Sequence, residues 1–154
     1  MPFPRPPIRS ELPWLTSGPL WRIHVDGQEE LDAFLHRWDY ERVILEGSRM
    51  TTRASAHAHL HEVFDLAAWA GPNWDAFNDA FGHWVTQHDG IRLAVIWRDL
   101  DIAAAAAPAS TAEMVWGLLE CKVGDMPTLN PRNTAEITMD LFVVGDGDDF
   151  DRPT

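Results

Sequence analysis

Apolar positions along the chain follow two rhythms, one of strands and one of helices. LWRIHV (20–25) predicts a short strand. In DGQEELDAFLHRW (26–38), Leu31, Phe34, Leu35 and Trp38 fall at helical spacing. RVILEG (42–47) predicts a second strand, closed by glycine. The segment 48–69 begins with turn-like residues and becomes helical, with Leu60, Val63, Phe64 and Ala67 on one face. An AGPN turn (70–73) precedes a helix from about Trp74 to about Gln87. In IRLAVIW (91–97), Leu93, Val95 and Trp97 face one way, while Ile91, Ala94 and Ile96 leave few polar positions, so both faces are largely apolar. That pattern suits a central strand of a covered sheet. A short helix over 99–107 is broken at Pro108, and residues 110–122 predict a firmer helix. There Ser110 and Glu113 have capping-box spacing, and Met114, Leu118 and Cys121 repeat at helical intervals. A loop (123–133) leads to the last strand, 135–144. Strands alternating with helices predict an α/β fold with a mostly parallel sheet.

The helix at 74–87 carries the most unusual chemistry. On a wheel, Trp74, Phe77, Phe81, Trp84 and Val85 fall within about 100° of arc, an apolar stripe. Asp75 and Asp79 sit together on nearly the opposite face. Asn73 is a good N-cap, and Asp75 in the first turn is stabilised by the helix dipole. Neither argument covers Asp79, one turn further on. Aspartate is a poor helix former, and two like charges four residues apart repel. Taken on the residues alone, a bland solvated face is the more economical explanation.

Composition narrows the partners. Among 154 residues, 24 acids face 12 bases for a formal charge of −12, and Lys122 is the single lysine. Such a surface repels nucleic acid and anionic membranes and attracts basic proteins. Cys121 is the only cysteine, so no intrachain disulfide forms. The N-terminus lacks the apolar run of a signal peptide, and no stretch reaches the ~18 apolar residues of a membrane span. A cytoplasmic protein is expected. Pro2, Pro4, Pro6, Pro7, Pro13 and Pro19 predict an extended, partly mobile arm over 1–20. GDGDDFDRPT (145–154) reads as a solvated acidic tail, its spacing wrong for a calcium loop.

VILEG, then HLHEVFDLAAWAGPNWDAFNDAFGHWV, then IRLAVIWRDL resembles the barstar family, intracellular inhibitors of small secreted ribonucleases. Gly71, Asn73, Asp75, Ala76, Asp79, Trp84, Trp97 and Arg98 fall in register. The resemblance runs from Arg42 to Asp99 and more loosely to residue 144. It implies an α/β fold with a small three-stranded parallel sheet packed by helices, with no enzymatic activity and no cofactor. The expected organisation is an arm (1–20), an extension packed on the domain (21–41), a barstar-like domain (42–144) and a tail (145–154). The extension adds a strand and helix to the sheet, covers an exposed edge, or forms a dimer contact.

The resemblance also implies a mechanism, in which the acids of this helix stand in for substrate phosphates in a cationic ribonuclease site. Asp79 would be the central anion and Asp75 its neighbour, with Asn73, Gly71 and Trp69 as loop contacts. Trp84 and Glu113 match further contact positions, although capping rivals that role for Glu113. Three positions depart from the family pattern: Asn78 stands where a tryptophan is usual, Ala70 replaces one of two aromatics, and Pro72 replaces a polar residue. They lie on the expected contact surface and point to a different partner more than to a different fold. The implied function is therefore an inhibitor or immunity protein with a basic ribonuclease partner. The alternative is a module of the same fold with a non-nuclease partner. A third reading, metal binding by His57 and His61 at i,i+4, is less economical than surface histidines. Trp74, Trp84, Trp97 and Trp116 fall mostly on predicted core faces.

Overall fold

The computed structural model describes residues 6–65, 73–88, 90–122 and 138–153. Its elements run α1 (Ile8–Glu11), β1 (Trp21–His24), α2 (Gln28–Arg37), β2 (Tyr40–Glu46), α3 (Arg53–Val63), α4 (Trp74–Gln87), β3 (Arg92–Arg98), α5 (Leu100–Ala106), α6 (Pro108–Lys122) and β4 (Thr138–Gly145). The sheet is wholly parallel, in the order β1-β4-β3-β2. It therefore has four strands where three were expected. The fourth comes from the extension: β1 pairs with β4 from Trp21 opposite Phe142 to His24 opposite Gly145. β4 is buried along nearly its whole length, so its outer edge needs a partner, and β1 satisfies those backbone groups.

The alternation of β3 divides two cores. Leu93, Val95 and Trp97 point to one face, with Leu45, Leu141, Leu60, Phe64, Phe77, Phe81 and Leu118. Ala94 and Ile96 point to the other, where Leu31, Phe34 and Leu35 of α2 cluster with Ile23, Phe142 and Val144. α2 places Glu29 and Glu30 in its first turn and His36 and Arg37 in its last, which complements the helix dipole. α3 opens with a capping box. The Thr52 hydroxyl accepts from the Ser55 N–H at 3.0 Å, and the Thr52 N–H donates to Ser55 Oγ at 3.1 Å.

Both ends of the chain depart from expectation. Residues 6–20 include α1 and bury Ile8, Leu12 and Leu15 in the second core, so the described part of the arm is packed rather than extended. The tail is docked rather than solvated. The Asp151 carbonyl accepts from the His24 N–H at 2.8 Å, its own N–H donates to the Arg22 carbonyl at 3.0 Å, and its carboxylate accepts from Thr16 N at 2.9 Å. The tail thus covers the free edge of β1. No helix among the described residues is long and apolar enough to cross a membrane.

Candidate functional site

α4 occupies the predicted span, and Asn73 caps it as expected, with its side-chain oxygen accepting from the Ala76 N–H at 2.9 Å. Its apolar stripe is buried: Phe77 and Val85 are fully enclosed, with Phe81, Ala80 and Trp84 beside them. The rings form a column. Phe77 and Phe81 stack at 5.3 Å between centroids, Phe81 and Trp84 at 5.5 Å, and Trp84 and His88 at 3.9 Å. Phe64 of α3 meets Phe77, Phe81 and Trp84 edge-on at 5.2–5.9 Å. Edge-to-face and offset pairs of this kind add about 0.5–1.5 kcal/mol each beyond burial. The helix is therefore held rigidly by the face opposite its acids.

Asp75 and Asp79 are both exposed. Among the described residues, no basic side chain pairs with either. Arg49, Arg53 and Arg98 are committed to Glu62, Glu113 and Glu46. Two carboxylates one turn apart on a rigid support, with no counter-charge among the described residues, can take up an external cation.

The other expected contact residues divide. Trp84 is a core residue, 8% exposed and enclosed between Phe81 and His88, so it supports α4 instead of presenting a surface. Glu113 lies inside α6, not at its cap, because the helix begins two residues before Ser110, at Pro108, a favourable first position. Its Oε1 accepts from Trp74 Nε1 at 3.0 Å and from Arg53 at 3.1 Å. The hydrogen bond from Arg53 is the main reason its carboxyl is held below the usual glutamate range. Glu113 thereby ties α6 to the first residue of α4. Trp69 and Gly71, with Ala70 and Pro72, lie outside the described residues, as does the side chain of Asn78.

Of the three α3 histidines, His57 and His59 are buried and His61 is half-buried. His57 is 1% exposed and His59 3%. His59 Nε2 accepts from the Glu46 N–H at 2.9 Å, which joins α3 to the end of β2. The His57 ring packs edge-on against Trp74 at 5.5 Å, its Nε2 3.9 Å from Glu113 Oε1, with neither ring nitrogen hydrogen-bonded. Burial lowers the pKa of both, with Arg53 adding to the effect at His57 and Arg49 at His59. His61 Nδ1 bonds the His57 carbonyl at 2.8 Å. Among the described residues no cluster of three or more His, Cys, Asp or Glu could hold a metal ion.

The Arg53–Glu113–Trp74–His57 cluster escapes sequence reasoning, since Arg53 and Glu113 are sixty residues apart. One signal was available. Gly117 sits in a helix interior, where glycine is costly unless another group approaches closely. A Cβ there would lie 2.5 Å from the Trp74 ring. Glycine at 117 is what allows Trp74, and with it the start of α4, to seat on α6.

The curated protein sequences hold no match to this chain. The family model described as "Barstar (barnase inhibitor)" matches residues 40–123, a span from β2 through α6 that contains all of α4. With that match covering more than half of its length, the chain belongs to the barstar family.

Proposed function

We propose that the protein binds a ribonuclease and blocks its cationic active site with the acidic face of α4. The observation that carries this reading is the exposure of Asp75 and Asp79, one turn apart and unpaired among the described residues, over a fully buried aromatic stripe. A ribonuclease must concentrate positive charge to hold RNA phosphates. Carboxylates on a rigid helix match that charge and are steered to it at long range. Asp79 is the central anion and Asp75 its neighbour. Asn73 sets the start of the helix, and Trp69, Gly71 and Asn78 complete the contact surface. Trp84 and Glu113 act from behind, by fixing where the helix begins and how it lies. The partner is a basic protein, not a nucleic acid or a membrane, and the site of action is the cytoplasm, where an immunity role would protect the producing cell. The protein performs no chemistry of its own.

The test is an activity titration of small basic ribonucleases, barnase among them, with purified protein. The expected result is stoichiometric inhibition that Asp79→Ala weakens. Truncating one partner of a buried, hydrogen-bonded charge pair costs about 2–5 kcal/mol, or roughly 30- to 5,000-fold in affinity. Inhibition that survives Asp79→Ala and Asp75→Ala together refutes the mechanism.

A further inference from the structure

We infer that Trp116 is the aromatic anchor of the same partner-binding face, a proposal that rests on the reading above. Among the described residues Trp116 is the most exposed large hydrophobic, at 67%, and no other Phe, Trp or Tyr there is classed as exposed. The rings of α4 all serve the core, so its acidic ridge offers charge without an apolar contact. α6 supplies the missing part. On its wheel, at 100° per residue, Trp116 lies at the middle of the solvent face, 60° from Glu113 and 40° from Glu120.

That face adjoins the start of α4. Trp74 Nε1 donates to Glu113 Oε1 at 3.0 Å, and the Trp74 ring rests on Gly117, the residue after Trp116. Glu113 and Trp116 are i,i+3 neighbours, about 5–6 Å apart at Cβ. Trp74 is followed directly by Asp75. The path from Asp75 to Trp116 therefore crosses two side chains, Trp74 and Glu113, a short span for a standard interface, to which each partner contributes ~800 Å². The charge around the ring selects the occupant. Glu120 is exposed one turn from the ring, and Asp75 lies beyond Glu113, whose own charge is offset by Arg53, so the uncompensated charge near the ring is negative. A tryptophan face attracts guanidinium and ammonium groups, and tryptophan is enriched among residues that dominate binding energy. The partner of stated chemistry is the basic ribonuclease, which meets Trp116 with an arginine or lysine at the rim of its active site.

The experiment measures association and dissociation rates for barnase on the intact wild-type chain and on Trp116→Ala, Trp116→Phe and Asp79→Ala. Acrylamide quenching of each free protein accompanies them. Trp116→Ala is expected to melt with wild type, because the ring is exposed, and to weaken binding about tenfold or more through faster dissociation. Trp116→Phe should recover part of the loss. A Trp116→Ala affinity within twofold of wild type, with Asp79→Ala strongly impaired, overturns this proposal and leaves the α4 mechanism standing. Failure of the wild-type chain to bind barnase or any other small basic ribonuclease of the activity titration at micromolar concentration overturns both. Two other occupants are separable. Self-association that Trp116→Ala abolishes assigns the ring to a second copy. A Trp116 that is shielded from acrylamide in the free monomer is covered by its own chain. Either result overturns the proposal.

Discussion

Replacing Asp79 with lysine should stabilise the free protein while it destroys binding. The expectation follows from three terms at one exposed position. Asp75 and Asp79 stand at i,i+4, where like charges cost a few tenths of a kcal/mol, and the substitution removes that repulsion. An acid four residues before a lysine is the favourable orientation of a helical ion pair and contributes about 0.3–0.5 kcal/mol. Lysine is also the better helix former by roughly 0.3–0.4 kcal/mol. Asp79 is exposed and has no ion pair among the described residues to lose. The sum is about 1 kcal/mol in favour of the variant, or about 2–4 °C in melting temperature for a chain of this size. Denaturant unfolding and thermal melts at low salt measure the gain, and Asp79→Asn, which removes only the repulsion, should fall between the two. The same variant sets a cation against a cationic cavity, so inhibition of the ribonuclease should vanish. A variant less stable than wild type would show that Asp79 serves the fold. Retention of Asp79 for an external partner would then be refuted.

Two further outcomes follow from the supports of the site. His57 and His59 are buried with lowered pKa values, so each is neutral when folded and takes up a proton more readily when unfolded. Their contribution is therefore fully present above about pH 6.5, the ordinary histidine value. It declines as the pH falls below that towards the folded pKa values; urea midpoints across that range should drop, and His57→Phe should flatten part of the slope. Gly117→Ala places a methyl group 2.5 Å from the Trp74 ring, and overpacking of this kind costs about 1–3 kcal/mol. Its melting temperature should fall, and its Trp74–Glu113 hydrogen bond should weaken, with lower affinity for the ribonuclease even though Gly117 touches no partner.

The readable parts of this chain are those where one local cause dominates. α4 was legible to the residue because a capping asparagine, a five-residue apolar stripe and a polar face agree. β3 was legible as a central strand because both of its faces are apolar. The misreadings share a different cause, contacts between residues remote in sequence. Prolines predicted an extended arm, but Ile8, Leu12 and Leu15 find an apolar surface on α2. Acids predicted a solvated tail, but Asp151 meets the unpaired edge of β1 and Thr16, 135 residues away. His57 reads as a surface residue until Trp74 and Glu113 close over it. Trp116 reads as core because tryptophan usually is, and only the placement of α6 exposes it.

The same distinction explains why the acidic ridge does not require a stable helix on its own terms. A segment with two repelling aspartates and a glycine at 82 would fray in isolation, since short helices are marginal in water. Here the stabilisation lies almost wholly on the buried side, in Phe77, Phe81, Trp84 and Val85 against Phe64, and at the Asn73 cap. Apart from the favourable position of Asp75 at the helix N-terminus, the exposed side carries little stabilising duty and can be composed for a partner. The geometry is set before the encounter, so binding does not have to fund the ordering of α4. A chain built this way tolerates almost any substitution at 75 and 79 as a folded protein, and almost none as an inhibitor.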